Sequence, residues 1–171
     1  MNVLGIIPAR GGSKRIHQKN IKKLNGFPLI SYTIKTALKS RIINKLIVST
    51  DDEGIAAVAE DYGAEVPFRR PSEFAGDNSH EFYSILHSIE KLKENNWHTD
   101  IIVFLRPTCI FRTEKSIDSA VQKLQESSYD SVRAISKAVY PPHWMKRIEK
   151  NRYILLWIIT SMRGHIVKIC L

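Results

Sequence analysis

Residues 2–20 read NVLGIIPARGGSKRIHQKN, and this stretch decides the fold. Residues 2–8 are a short apolar run dominated by Val, Leu and Ile that gives way to Arg10-Gly11-Gly12-Ser13-Lys14. That is the pattern of a buried strand feeding a glycine loop. Working outward, residues 28–40 predict a helix with Pro28 in its first turn and Leu29, Tyr32, Thr33, Thr36 and Ala37 on its less polar face. Lys45–Ser49 follows as a second buried strand. Thr50-Asp51-Asp52-Glu53 reads as a helix start with acidic residues in the first turn, and Gly63 as the stop. Residues 64–68 predict a third strand, residues 69–78 a polar loop broken by Pro71 and Gly76, and residues 79–95 a helix with Phe82, Leu86, Ile89 and Leu92 along one face. Residues 100–105 predict a fourth strand, residues 113–127 a helix with Ile117, Ala120, Val121 and Leu124 inward, and residues 131–135 a fifth strand. Such alternation predicts an α/β chain of Rossmann-like three-layer build, a mostly parallel sheet with helices on both faces. Ligands of such sheets bind at the carboxyl ends of the strands, where the loops at Arg10, Thr50, Arg69 and Arg106 converge.

The 171 residues, 43% of them hydrophobic, suffice for one sizeable core and argue against disorder or a disulfide-stapled miniprotein. The two cysteines, Cys109 and Cys170, lie far apart, and no charged-then-apolar leader opens the chain, which predicts a reducing cytoplasm. The apolar run at 153–159 falls well short of the roughly 18 residues of a spanning helix, so no membrane partner is expected. The net charge of +9 is unevenly spread: +10 over residues 1–50, −8 over 51–130 and +7 over 131–171. Anion binding therefore belongs near the amino terminus, against the alternative of surface lysines scattered for solubility. A nucleic-acid-binding module would interleave basic and aromatic residues; the aromatics of the first fifty positions are Phe27 and Tyr32, both read as buried. No Cys/His set has zinc spacing, and Cys109 reads as packing.

A glycine turn with Ser and Lys directly after a first strand presents backbone N–H groups and positive charge to a polyphosphate. The spacing matches neither the P-loop nor G-x-G-x-x-G, and a plain surface turn is the other reading. Further ordered motifs accompany it: Ser49-Thr50-Asp51-Asp52, Arg69-Arg70-Pro71 with Ala75-Gly76-Asp77, and Leu105-Arg106-Pro107-Thr108 with Phe111-Arg112. Together with Ile7-Pro8-Ala9-Arg10-Gly11-Gly12-Ser13-Lys14-Arg15 and Lys19-Asn20, they resemble the N-acylneuraminate (CMP-nonulosonate) cytidylyltransferases over about residues 2–150.

The resemblance implies a nucleotidyltransferase that joins CTP to a nonulosonic acid, giving a CMP-sugar for surface-glycan synthesis and pyrophosphate. It implies catalytic roles for Arg10 and Lys19 at the leaving phosphates. It further implies nucleotide contacts from Pro8, Ala9, Arg10, Gly12, Ser13, Lys14, Lys19, Asn20, Arg70, Asp77 and Ser79. Arg70 also reads as a solvated charge and Asp77 as a helix cap. Arg106, Pro107 and Thr108 lie where the family contacts the sugar acid, and Arg106 suits a carboxylate. Arg106 stands where many sialic acid members have Gln, which leaves sialic, legionaminic and pseudaminic acids open. His17, where relatives often have Pro, reads as an exposed loop side chain.

By the same resemblance, residues 1–139 form the nucleotide-binding domain and 140–171 begin a homodimerisation segment. The family's late aspartate pair for Mg2+ has no counterpart, since the last aspartate is Asp130; Asp51, Asp52 or Asp77 supplies one ligand at most. No metal ligand is therefore assigned. Residues 150–171 match nothing in the family, so a carboxyl-terminally truncated or frame-shifted member, impaired in turnover and binding CTP only, is the alternative expectation.

Overall fold

The computed structural model describes residues 1–76 and 81–134, together with the backbone of 167–170. Strand β1 (Val3–Pro8) is central, and its residues are almost wholly buried. It pairs in parallel with β4 (Lys45–Ser49), from Leu4 opposite Lys45 to Pro8 opposite Ser49. On its other edge lies β5 (Ile101–Phe104), Val3 opposite Ile101. Strand β6 (Val167–Cys170) runs parallel beyond β5, so the sheet order is β4-β1-β5-β6.

Side chains alternate across a strand, and the core divides accordingly. Val3, Ile7, Val48 and Val103 face one layer with α1 (Leu29–Leu38), α2 (Glu53–Asp61) and α4 (Glu114–Gln125). Leu4, Ile6, Ile47, Ile102 and Phe104 face the opposite layer, where α3 (Glu81–Glu94) contributes Ile85 and Leu92. The three-layer α/β reading is thereby met. A Cβ at Gly5 would stand 2.8 Å from a Leu46 methyl, so a side chain there would make Leu46 shift.

Caps set the helix starts. Asp52 accepts from Ile55 N–H at 2.8 Å to begin α2, and Thr113 accepts from Ser116 N–H at 3.2 Å to begin α4. Gly63, at φ +91, ends the α2 segment as the sequence predicts. The predicted inward stripe of α4 is the observed one.

Several elements differ from the expectation. Residues 64–68 make a single bridge, Glu65 to Ile47, because Pro67 has no N–H to continue the ladder. Within 131–134 only Arg133 bridges; Ile135 and the proposed segment 140–171 lie outside the described residues, apart from the β6 backbone. A hairpin of β2 (Lys23–Leu24) and β3 (Phe27–Pro28) turns on Asn25 and Gly26 at φ 48 and 84. It leaves Phe27 exposed, edge-on to a half-buried Tyr32, where burial was predicted for both. The buried face of α1 is Ile30, Ser31, Thr33, Ile34 and Ala37, rotated from the predicted stripe. In α3 the small hydroxyls turn inward: Ser84 and Ser88 donate back to the Glu81 and Ser84 carbonyls at 2.7 Å, and Phe82 is left exposed. Among the described residues no helix is long and apolar enough to cross a membrane.

Candidate functional site

A cleft of about 530 Å³ opens at the carboxyl ends of β1 and β5. The glycine loop forms one wall. Its shape is held by Asp51, which accepts from Gly11 N–H at 3.0 Å, and by buried Asn20, whose amide donates to the Arg10 carbonyl at 3.1 Å. Pro8, Arg10, Ser13, Lys14, Lys19 and Asn20 all line the cleft. Ala9 does not: it is buried, and its N–H donates to Ser49 O at 3.0 Å, joining the loop to β4. Gly12 is exposed, with open space where a Cβ would stand, and His17 is exposed as predicted. The Arg10 guanidinium donates to the Ala75 and Gly76 carbonyls at 3.4 and 3.0 Å, tying the glycine loop to the loop that precedes α3.

Arg70 is a buried cation, not a solvated one. Its Nε donates to Ser49 Oγ at 3.1 Å, its Nη2 to Ser49 O, and its own N–H to Thr50 O at 2.8 Å. Burial lowers its pKa, Asp51 raises it and Arg10 lowers it. An arginine nevertheless stays protonated, so the cleft wall carries a permanent charge fixed by β4. Arg106, Pro107 and Thr108 line the cleft as well. There the Arg106 guanidinium meets Glu81 at 2.7 Å. Asp77 and Ser79 lie outside the described residues.

Glu81, Ser84 and Phe74 also line the cleft, and the sequence motifs pointed to none of them; Arg15, which closes the first motif, lines it too without having been assigned a contact. Glu81 meets Arg106 across 25 residues of chain, a pairing with no local signature. Phe74 stacks on Tyr83 at 5.8 Å and leans on His87 at 5.9 Å. His87 is buried with Nδ1 unpartnered, and burial, with Lys91 beside it, pushes its pKa down. Cys109 is exposed rather than packed, beside Arg112.

Magnesium needs oxygen ligands in near-octahedral order. Asp51 and Asp52 are engaged by Gly11 and Ile55 N–H groups, and among the described residues no three His, Cys, Asp or Glu side chains converge. The described donors therefore do not fit a magnesium ion held by the protein itself.

The structure is a parallel α/β sheet whose strand ends carry a glycine loop and clustered cations, the place where such folds bind ligands. The chain belongs to the cytidylyltransferase family, whose model matches residues 4–153. It is 37% identical over 151 residues to a CMP-N,N'-diacetyllegionaminic acid synthase of Legionella pneumophila, covering 88% of this chain and 65% of that protein. It is 34% identical over 157 residues to a pseudaminic acid cytidylyltransferase of Campylobacter jejuni, covering 92% and 68%. The chain thus spans about two thirds of these relatives' length. The solved CMP:2-keto-3-deoxy-manno-octonic acid synthetase with CTP superposes with a TM-score of 0.66 at 19% identity, over 80% of this chain and 54% of that one, and shows the fold.

Proposed function

We propose that the chain carries the nucleotide-binding half of a CMP-nonulosonate synthetase, taking CTP and a nine-carbon 2-keto sugar acid of sialic, legionaminic or pseudaminic type. One observation supports this most: Arg10, Lys14, Arg15, Lys19 and Arg70 line a single cleft beside a glycine turn. The acceptor's anomeric oxygen bonds to the α-phosphorus as the bond to the β-phosphate's bridging oxygen breaks. Pyrophosphate leaves, and the hydroxyl proton passes to solvent. Such transfers are accelerated chiefly by positioning and by stabilising charge on the phosphate oxygens. Arg10 and Lys19 serve the leaving phosphates; Ser13 and Lys14 cradle the chain of phosphates; Asn20 sets the base; Arg106 receives the acceptor carboxylate. Magnesium, if it takes part, would enter with the nucleotide and would screen the charge of its phosphates.

The exposed thiol of Cys109 suits a reducing cytoplasm, and a homodimer that delivers CMP-sugar for glycan assembly belongs to the same reading. Pyrophosphate release is measured with CTP, magnesium and a panel of nonulosonic acids. Release that depends on both CTP and one of these acids supports the proposal. Absence of CTP binding, or oligonucleotide binding that is tight and falls steeply with salt, sinks it.

A further inference from the structure

Ser49 closes β4, opposite Pro8 of β1, and is wholly buried. Its carbonyl oxygen accepts twice, from Ala9 N–H at 3.0 Å and from Arg70 Nη2. Its hydroxyl Oγ accepts from Arg70 Nε at 3.1 Å. The main-chain N–H of Arg70 is tied next door, to Thr50 O at 2.8 Å. Arg70 is therefore held at both its ends by two consecutive residues, and one of them also carries the link to the glycine loop. A guanidinium is a rigid planar fork, so two hydrogen bonds along one edge fix its plane and its direction. With Nε and Nη2 turned to Ser49, Nη1 is left over. Among the described residues Nη1 meets no acceptor, and it is not one of their buried, unpartnered nitrogens. It is therefore accessible, and Arg70 lines the cleft while Ser49 does not.

We infer that Ser49 is a positioning residue for CTP: it touches no part of the nucleotide, and it aims Nη1 of Arg70 at the cleft, in a register with the glycine loop that its own carbonyl sets. The inference rests on the CTP reading above. An arginine that is free in solvent gives up its rotamer freedom when a ligand fixes it, whereas one already held gives up less. Ser49→Ala removes the acceptor of Nε. The guanidinium is then left on the single bond from Nη2, about which it can swing, and Nη1 no longer stands ready for an acceptor atom of the nucleotide.

CTP is titrated by calorimetry into the full chain as wild type, Ser49→Ala, Ser49→Thr, Arg70→Met and the double variant Ser49→Ala/Arg70→Met, and melting curves establish that each is folded. The inference expects Ser49→Ala to weaken CTP about ten-fold, as for one hydrogen bond to a charged group. Ser49→Thr keeps the hydroxyl and should bind within about two-fold of wild type. Once Arg70 is gone, the alanine change should add less than about two-fold. Ser49→Cys, with a weaker acceptor of similar size, repeats the test if the alanine variant does not fold. Wild-type affinity in the folded variant lacking the hydroxyl overturns the inference, as does an equal loss with and without Arg70. Affinity that merely follows melting temperature across the Ser49 forms overturns it too, and that comparison needs no Arg70 variant. Failure of the wild type to bind CTP overturns the nucleotide reading and this inference with it; intact CTP binding that ignores Ser49 overturns this inference alone.

Discussion

Replacing Gly11 by Ala drives a methyl group into the residue that caps α2. A Cβ at Gly11 would lie 2.7 Å from Asp52 Oδ2 and 2.9 Å from Asp52 Cβ. Rotating the carboxylate does not relieve the second contact, and moving Asp52 withdraws the oxygen that accepts from Ile55 N–H. Overpacking costs about 1–3 kcal/mol and loss of the cap about 1 kcal/mol. Reduced freedom of the unfolded chain offsets about 0.4–1 kcal/mol. The expected net loss is about 1–3 kcal/mol. Gly12→Ala is the internal control, because nothing stands within 4 Å of its added Cβ; its stability should change by less than about 0.5 kcal/mol. At about 2–4 °C per kcal/mol for a chain of this size, melting curves separate the two variants by several degrees. Equal melting temperatures, or a larger loss at Gly12, would refute the packing argument.

Arg10→Ala and Lys19→Ala should each weaken CTP by about 1.5–3 kcal/mol, the worth of a charged hydrogen bond in a partly desolvated site; calorimetry on folded variants with unchanged affinity would remove the loop from the nucleotide site. Arg106→Gln should keep CTP affinity within about two-fold while shifting the KM for the acid and the preference among nonulosonates, since Arg106 follows a different strand; a collapse of CTP binding would contradict this. His87 has its pKa lowered from the ordinary 6.5 by burial. As pH falls below 6.5 the unfolded chain takes up the proton first, so stability is full above that pH and declines as pH drops toward the folded-state value. Urea midpoints measured across this range should show the decline in wild type and less of it in His87→Gln; identical profiles would exclude His87 as the cause.

How much could be read in advance followed from how local the determining physics is. The short apolar cores of β1, β4 and β5, rich in Val and Ile and bounded by loop residues, read as strands buried on both faces, and α4 shows its inward stripe because every member is aliphatic. In α1 and α3 the buried face includes Ser31, Ser84 and Ser88. Ser84 and Ser88 bond to carbonyls of their own helix and Ser31 to that of Pro28 just before α1, so polarity misplaces the stripe. The Asn25-Gly26 pair was a visible hairpin signal, and Pro67 a visible interruption of the third strand. The loop motifs led to most of the cleft, because its cations cluster in short segments. Burial of Arg70 under β4 and the approach of Glu81 to Arg106 depend on which segments the sheet order brings together, which a lone sequence does not encode locally.

The central place of β1 also bears on how the chain is made. Its partner on one edge, β5, begins at Ile101, opposite Val3. At roughly 5–20 residues per second of synthesis, the ribosome delivers that partner about 5–20 s after β1. Until then a strand reading VLGIIP has at most one edge satisfied, by β4. Long-range parallel pairing of this kind is slow to form and prone to wrong partners meanwhile. The nascent polypeptide therefore keeps one edge of its most apolar strand open until residues 101–104 dock beside it.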